Sequence, residues 1–271
     1  MTKTFIAALL LSGLALSAAA AAAAADRDGD WNLRIKQEGK GLTIHWGGTH
    51  HYGDHNSKLK GSGVLVDKVR AVAVFSRVRV DGPIDVRMSQ AAADELRVQA
   101  DDNIEPLIET RVEGDTLVVG LKPHSGFDCR NEPRVNIAFK ALQSLQMKGS
   151  GDVRLDRLKA DSFNLNITGS GDLHMGLVEL RELNASLSGS GDLEVAGRAD
   201  AQNWSLSGSG DVSARALSGK TVKAHLSGSG DMDLGVSEQL DAKLSGSGDL
   251  SYAGRPKVSK SVTGSGELNG Y

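Results

Sequence analysis

Cysteine occurs once in the 271-residue chain, at Cys129, so no intrachain disulfide can staple the fold. Proline is also rare, at 5 residues, and the glycines follow no G-X-Y triplet, which excludes a collagen-like triple helix. Aromatic residues make up only 4% of the chain, so side chains that stack on sugar rings are scarce. The formal net charge is −3, and a general nucleic-acid binder needs a basic stripe to displace counterions. After residue 25 no apolar run approaches the ~20 residues of a membrane helix. The nucleophile elbow G-x-S-x-G, the phosphate loop, the dinucleotide fingerprint G-x-G-x-x-G and the zinc motif H-E-x-x-H are all missing. The charged fraction of 24% is ordinary, so composition does not mark the chain as disordered.

The first 25 residues have the pattern of a cleaved signal peptide. Lys3 supplies a positive start, Phe5 to Leu16 an apolar run, and Ala18 to Ala25 a choice of small-residue cleavage sites. No cysteine follows the run, so no lipid anchor is available there. Export to the periplasm, the outer surface or the medium is therefore expected, with no membrane span in the mature chain.

What the chain has in excess is glycine, 33 residues, and the glycines are ordered. Gly149-Ser150-Gly151-Asp152 recurs at Gly169–Asp172, Gly189–Asp192, Gly208–Asp211, Gly228–Asp231 and Gly246–Asp249, and as Gly264-Ser265-Gly266-Glu267. The steps are 20, 20, 19, 20, 18 and 18 residues. A fixed period near 20 residues means stacked units in a quasi-one-dimensional fold. Within each unit apolar and polar residues alternate. Trp204, Leu206, Gly208, Gly210, Val212 and Ala214 share one parity; Ser205, Ser207, Ser209, Asp211 and Ser213 share the other. Period two is a strand signal. The glycines fall on the inward parity, where a bend or a close backbone approach excludes a Cβ. A helical repeat is disfavoured, because interior glycines cost ~1 kcal/mol each.

The spacing therefore predicts an all-β fold: a single-stranded parallel β-helix, right-handed, with 18–20-residue coils of two or three faces. Upstream, Val80–Val86 aligns with Leu206–Val212 and places Asp85 in the aspartate slot. Leu96–Val98, Leu117–Val119 and Val135–Ile137 read as strands of less regular coils. The expected organisation is a signal peptide over 1–25, a variable and partly disordered segment over 26–70, and a β-helical domain over 71–271. Leu42–Trp46 is one possible strand in the middle segment.

Residues Phe75–Gly82 (FSRVRVDG), Val98–Ile104 (VQADDNI), Lys148–Val153 (KGSGDV) and the later Gly-Ser-Gly-Asp copies resemble the head GIN domain family of auto-transporter adhesins, over roughly residues 72–271. The resemblance implies a β-helical fold in an exported bacterial protein, with adhesion as its role. It brings no catalytic residues. The coils after residue 149 contain no translocating barrel of the kind an auto-transporter label implies.

Four groups of residues are candidates for chemistry. Asp152, Asp172, Asp192, Asp211, Asp231, Asp249 and Glu267 stack into one column. Charges ~4.8 Å apart repel by roughly 0.9 kcal/mol even in water, so something offsets that. Hydrogen bonds from the local turn are one answer. Ca²⁺ bridging successive coils is the other. Serines form two further columns: Ser150, Ser170, Ser190, Ser209, Ser229, Ser247 and Ser265, and Ser188, Ser207, Ser227 and Ser245 with Thr168 and Thr263. They make a hydroxyl-rich platform for a carbohydrate or other surface polymer. His45, His50, His51 and His55 lie close enough in sequence to bind a transition metal, or to be a polar mobile segment. Cys129 reads as a buried thiol.

The expected function is an exported, non-catalytic binding protein, presenting a repetitive Ser/Asp-rich face to a cell-surface polysaccharide or envelope protein. It needs no cofactor, with Ca²⁺ the one candidate. The alternatives are a structural envelope scaffold and a polysaccharide-modifying β-helix enzyme using Asp85, Asp101, Asp102 or Glu105. The exposed last coil, Leu268–Tyr271, calls for a cap or for self-association.

Overall fold

The computed structural model describes the backbone of residues 32–38, 41–47 and 50–53, together with all of Tyr52 and residues 59–271. The signal-peptide region lies outside the described residues. Two compact units divide the chain between His50 and His51. In the first, β1 (Asn32–Glu38) and β2 (Gly41–Gly47) form an antiparallel hairpin running from Asn32↔Gly47 to Glu38↔Gly41. The strand expected over Leu42–Trp46 is thus present as β2.

The strands that follow are β3 (His50–Gly53), β4 (Leu59–Lys60), β5 (Leu65–Arg70), β6 (Arg77–Asp81), β7 (Asp85–Gln90) and β8 (Glu95–Asp101). Next come β9 (Ile108–Glu113), β10 (Thr116–Leu121), β11 (Gly126–Cys129), β12 (Arg134–Phe139) and β13 (Ser144–Gly149). Five long strands then wind through whole coils: β14 (Val153–Gly169), β15 (Leu173–Gly189), β16 (Leu193–Leu206), β17 (Val212–Leu226) and β18 (Met232–Leu244). β19 (Leu250–Ala253), β20 (Lys257–Val262) and β21 (Leu268–Gly270) complete the stack.

This is the parallel β-solenoid expected from the repeat, about 6 turns long. Partner residues are 20 apart between β14 and β15 (Val153↔Leu173), 19 between β16 and β17 (Leu193↔Val212) and 18 between β18 and β19 (Met232↔Leu250). The alternation breaks twice per coil. In β14 both Asp156 and Arg157 are exposed, and so are both Asp161 and Ser162. These breaks mark corners, so each coil has three faces. Face 1 follows the aspartate (Val153–Leu155), face 2 spans Arg157–Ala160, and face 3 spans Ser162–Thr168.

Inward residues stack in columns along the axis. Leu155, Met175, Val195, Ala214 and Leu234 are all buried. Burying a Leu, Val or Met side chain contributes ~1.5–3 kcal/mol relative to leaving it exposed. Each coil can bury its apolar row only against the next coil, so the stack is cooperative. One core position is polar. Gln202 replaces the Leu183 of the preceding coil, and is 1% exposed. It is satisfied: Trp204 Nε1 donates to its Oε1 at 2.9 Å, and its Nε2 reaches the carbonyls of Ala199 and Leu217 at 3.3 and 3.4 Å.

The N-terminal strands differ from the expected run of irregular coils. β6 pairs with β13 on one side and β10 on the other; β7 pairs with β14 and β12. Residues 77–90 therefore sit between the later residues 116–139 and the coil that starts at residue 144. Three antiparallel strands close this end: β9 on β10, β8 on β12, and β5 on β8. Such closure removes open parallel edges. β5 also carries the sheet back into the segment before residue 71.

β5 is pinned by Glu105, whose side chain is 6% exposed. Lys68 Nζ reaches its Oε2 at 2.8 Å and Arg70 Nη2 its Oε1 at 2.7 Å. Arg70 also donates to the carbonyls of Glu105 and Ile108. Burial alone would raise the Glu105 carboxyl, but the hydrogen bonds and charges of Lys68 and Arg70 outweigh it and hold the pKa below the ordinary value. A carboxyl with a lowered folded pKa adds stability above its unfolded value, ~4.3, and loses it as pH falls through the folded value. Glu105→Ala is expected to destabilise at pH 7 by less than the ~3–5 kcal/mol of a fully buried pair, because Lys68 is half exposed. Urea unfolding of both proteins should show the gap narrowing below about pH 4. A gap that is constant down to pH 2 would contradict this.

Candidate functional site

The repeated motif forms one corner of every coil. At that corner the chain passes directly over its own copy in the coil before. Ser170 and Gly171 both donate their N–H to the Gly149 carbonyl, at 2.9 and 3.2 Å, and the same pair of bonds repeats at each later copy. A Cβ on Gly169 would lie 2.1 Å from the Gly149 oxygen, and one on Gly171 2.2 Å from the Gly151 oxygen. Gly169 also has φ of 131°, which side-chain-bearing residues rarely adopt. The close approach expected at the glycines is present. Its partner is the backbone of the preceding coil.

The aspartates stack as expected, and each is bonded across the coils. Asp172 N–H donates to Asp152 Oδ1 at 2.9 Å, Asp192 to Asp172 at 2.8 Å, Asp211 to Asp192 at 2.9 Å, and Asp231 to Asp211 at 2.8 Å. Asp249 continues to Asp231 at 2.7 Å and Glu267 to Asp249 at 2.8 Å. Asp85 opens the ladder by accepting from Asp152 at 3.1 Å. The acceptor bond expected from each local turn thus comes from the next coil. It offsets the charge repulsion with one charge-assisted bond per coil.

Beside the ladder, face 1 holds an open groove of about 550 Å³. Asp85, Asp152, Asp172, Asp192 and Asp211 line one wall. The neighbouring column reads Arg87, Arg154, His174, Glu194, Ser213. Arg154 pairs with Asp156 at 3.2 Å, and His174 Nδ1 lies 2.9 Å from Glu194 Oε2. This groove carries both signs of charge. Asp231 and Asp249 line a further hollow with Arg215 and Tyr271.

Face 3 holds a groove of about 680 Å³ with a different chemistry. Asn164, Asn184 and Asn203 are register partners on successive coils. Asn184 Nδ2 donates to Asn164 Oδ1 at 3.3 Å, and Asn203 Nδ2 to Asn184 Oδ1 at 2.7 Å. The hydroxyl column runs alongside: Thr168 pairs with Ser188, and Ser207, Ser227, Ser245 and Thr263 follow, their N–H groups bonded to the coil before. Trp204 is 3% exposed, in the core as its parity implied.

The acids weighed for catalysis are not brought together. Asp85 belongs to the ladder. Asp101 accepts from Asn131 Nδ2 and the Gly63 N–H, Asp102 from the Ser62 hydroxyl, and Glu105 is held by Lys68 and Arg70. Cys129 is buried, and its thiol is pushed up to about 12 by burial first and by Asp101, Glu132 and Asp128 next. His45 lies on β2 and His50 and His51 on β3; their side chains, and all of His55, lie outside the described residues. Among the described residues no three His, Cys, Asp or Glu side chains group as metal ligands.

Sequence reasoning missed the inter-coil direction of the aspartate bonds and the amide-to-amide bonds of the asparagine column. The column itself is legible as Asn at a fixed offset before each motif in three successive units.

A stacked parallel solenoid with laddered corners and polar outer columns defines the class. The family model "Putative auto-transporter adhesin, head GIN domain" matches residues 74–256, and the chain belongs to that family. A structure from Bacteroides fragilis NCTC 9343, described as a putative adhesin, is similar at 25% identity with a TM-score of 0.74, covering 79% of this chain and 100% of that one. One from Parabacteroides distasonis ATCC 8503, described as a putative lipid binding protein, has 26% identity and a TM-score of 0.67, covering 79% and 99%. A putative adhesin from Parabacteroides merdae ATCC 43184 shares the fold at 22% identity with a TM-score of 0.66, covering 79% and 98%. No functionally curated protein matches the sequence. Among the described residues no helix is long and apolar enough to cross a membrane.

Proposed function

We propose that the protein is exported and acts as a non-catalytic binding protein of the cell envelope, holding a surface polymer or an envelope protein on its repeated polar faces. The observation that carries this reading is the repetition itself. The same polar side chains recur on coil after coil, a form suited to a repeating ligand, while the motif aspartates are tied into structural bonds between coils. Likeness to proteins described as putative adhesins supports it. One relative is described as a putative lipid binding protein. The interior here is filled by buried side chains, and the outward columns of the face 1 and face 3 grooves carry charged groups, amides and hydroxyls, which favours a polymer over an acyl chain. The carboxylates from Asp85 to Asp249 each accept a bond from the next coil, which supports a reading without a cofactor.

The test is retention of the purified full chain on envelope fractions, and on an array of bacterial and host polysaccharides, with and without EDTA. Binding that survives EDTA is expected. Binding lost with EDTA would move the ligand to a Ca²⁺-loaded aspartate column. No binding to any fraction would leave the scaffold reading, which the rigid laddered corner favours.

A further inference from the structure

We propose that the face 3 groove is the binding site, and that its ligand is a neutral, hydroxyl-rich glycan chain lying along the solenoid axis; this rests on the envelope-binding reading above. The groove is lined by two columns of a three-by-three array, and the third column runs beside it. Asn164, Asn184 and Asn203 form one column, Asn166, Ser186 and Ser205 the second, and Thr168, Ser188 and Ser207 the third. None carries a formal charge. On the same coils the outward positions of faces 1 and 2 are rich in charge, with the ion pairs Arg154–Asp156, Lys159–Glu179, Arg181–Asp161 and Arg198–Asp200. Charge on face 3 lies at the edges of the array: Glu182, which accepts from Asn184 Nδ2 at 3.2 Å, Arg77 and Arg79 at the N-terminal end of the groove, and Lys223 and His225 on the coil after Asn203 and Ser205.

Every member of the array is an amide or a hydroxyl, so each both donates and accepts. That is the pattern a sugar hydroxyl needs, since it too does both. Asn166 Nδ2 and the hydroxyls of Ser186 and Ser205 have no hydrogen-bond partner among the described residues and face the groove. The columns repeat at the strand spacing of ~4.8 Å, close to one pyranose unit. The asparagine amides are tied to one another across coils, which holds that column in place for a ligand.

Other ligands fit less well. An acidic polymer would need cations within the array. The arginines at its N-terminal end are already neutralised, Arg77 by Asp115 at 3.5 Å and Arg79 by Asp81 at 2.9 Å. A protein partner would look for an apolar or aromatic centre, and the array has none. The face 1 groove repeats one carboxylate per coil. Without an exposed ring to stack on, each sugar contributes little, and binding strength comes from engaging one unit on each of the three coils at once and from the many registers a long polymer offers.

Affinity electrophoresis of the purified full chain tests this, with dextran, pullulan and galactomannan as neutral probes and polygalacturonate as the acidic one. Retardation by a neutral glycan is expected, insensitive to salt, and strengthening roughly tenfold or more from short oligomers to long polymer. Asn166→Arg with Ser186→Arg should abolish it, and so should Ser186→Glu. Lys159→Gln on face 2 should not change it. All these side chains are exposed, and unchanged thermal unfolding confirms that the variants fold. Retardation by polygalacturonate alone, by none of the probes, or equally in the array variants would overturn the inference. Envelope retention measured in parallel separates the two readings. Envelope bound with no neutral glycan retarded overturns this inference alone; neither bound overturns both.

Discussion

Gly210→Ala is expected to destabilise the solenoid by at least about 3 kcal/mol, at the upper end of what overpacking costs. The added Cβ would lie 2.1 Å from the Gly191 carbonyl oxygen and 2.9 Å from its carbon. These are backbone atoms of a hydrogen-bonded coil, so they cannot rotate aside as a side chain would. The neighbour in sequence gives the control. Ser209 points outward, and Ser209→Ala keeps the N–H bond to Gly189, so it should stay within about 0.5 kcal/mol of the parent. Gly63 isolates the conformational part: it has φ of 81° and nothing within 4 Å of an added Cβ. Gly63→Ala should cost only about 1–2 kcal/mol. Urea unfolding of the three variants checks the order. Equal effects at Gly210 and Ser209 would mean that the coils do not meet at the corner.

The second large effect is expected from the ladder. Replacing Asp172, Asp192 and Asp211 together by alanine removes three acceptors, for the N–H groups of Asp192, Asp211 and Asp231. At ~1 kcal/mol net per bond the loss is about 3 kcal/mol, somewhat offset by relief of like charge along the column. The three bonds are neighbours, so the single substitutions need not add. Asparagine keeps an acceptor oxygen and removes the charge, so the triple Asp→Asn protein should recover most of the loss. Thermal and urea unfolding, with and without EDTA, read both variants. Asn as damaging as Ala, or stability of the parent that falls with EDTA, would mean that the carboxylates hold a cation and not the next coil.

The stack was readable in the sequence because each coil repeats its reasons. A Cβ-free residue is needed wherever the chain crosses its own copy, and an acceptor at the same offset, so Gly and Asp recur together. Burial follows the same logic: Val153, Leu173, Leu193, Val212, Met232 and Leu250 all face inward at one register position. Asp85 could be placed in the ladder from its alignment alone. The order of the first coils could not. Nothing local tells β6 and β7 to lie between strands that come 30 or more residues later, because long-range pairing depends on which edges are left open. The three faces were only partly readable, since the double exposures at Asp156-Arg157 and Asp161-Ser162 shift position from coil to coil, as the register shifts in β15 to β18 show. Of the candidate sites, the serine and aspartate columns were legible as periodic letters. The asparagine bonds of face 3 depend on side-chain geometry across coils, which spacing alone does not give.

Binding without turnover is the central claim. The most direct measurement is to incubate the purified full chain with the envelope polysaccharide fraction that retains it, and to follow retained protein and new reducing ends together over a day. Retention with no new reducing ends is the predicted result. Soluble fragments that accumulate in proportion to protein would contradict it and make the chain an enzyme.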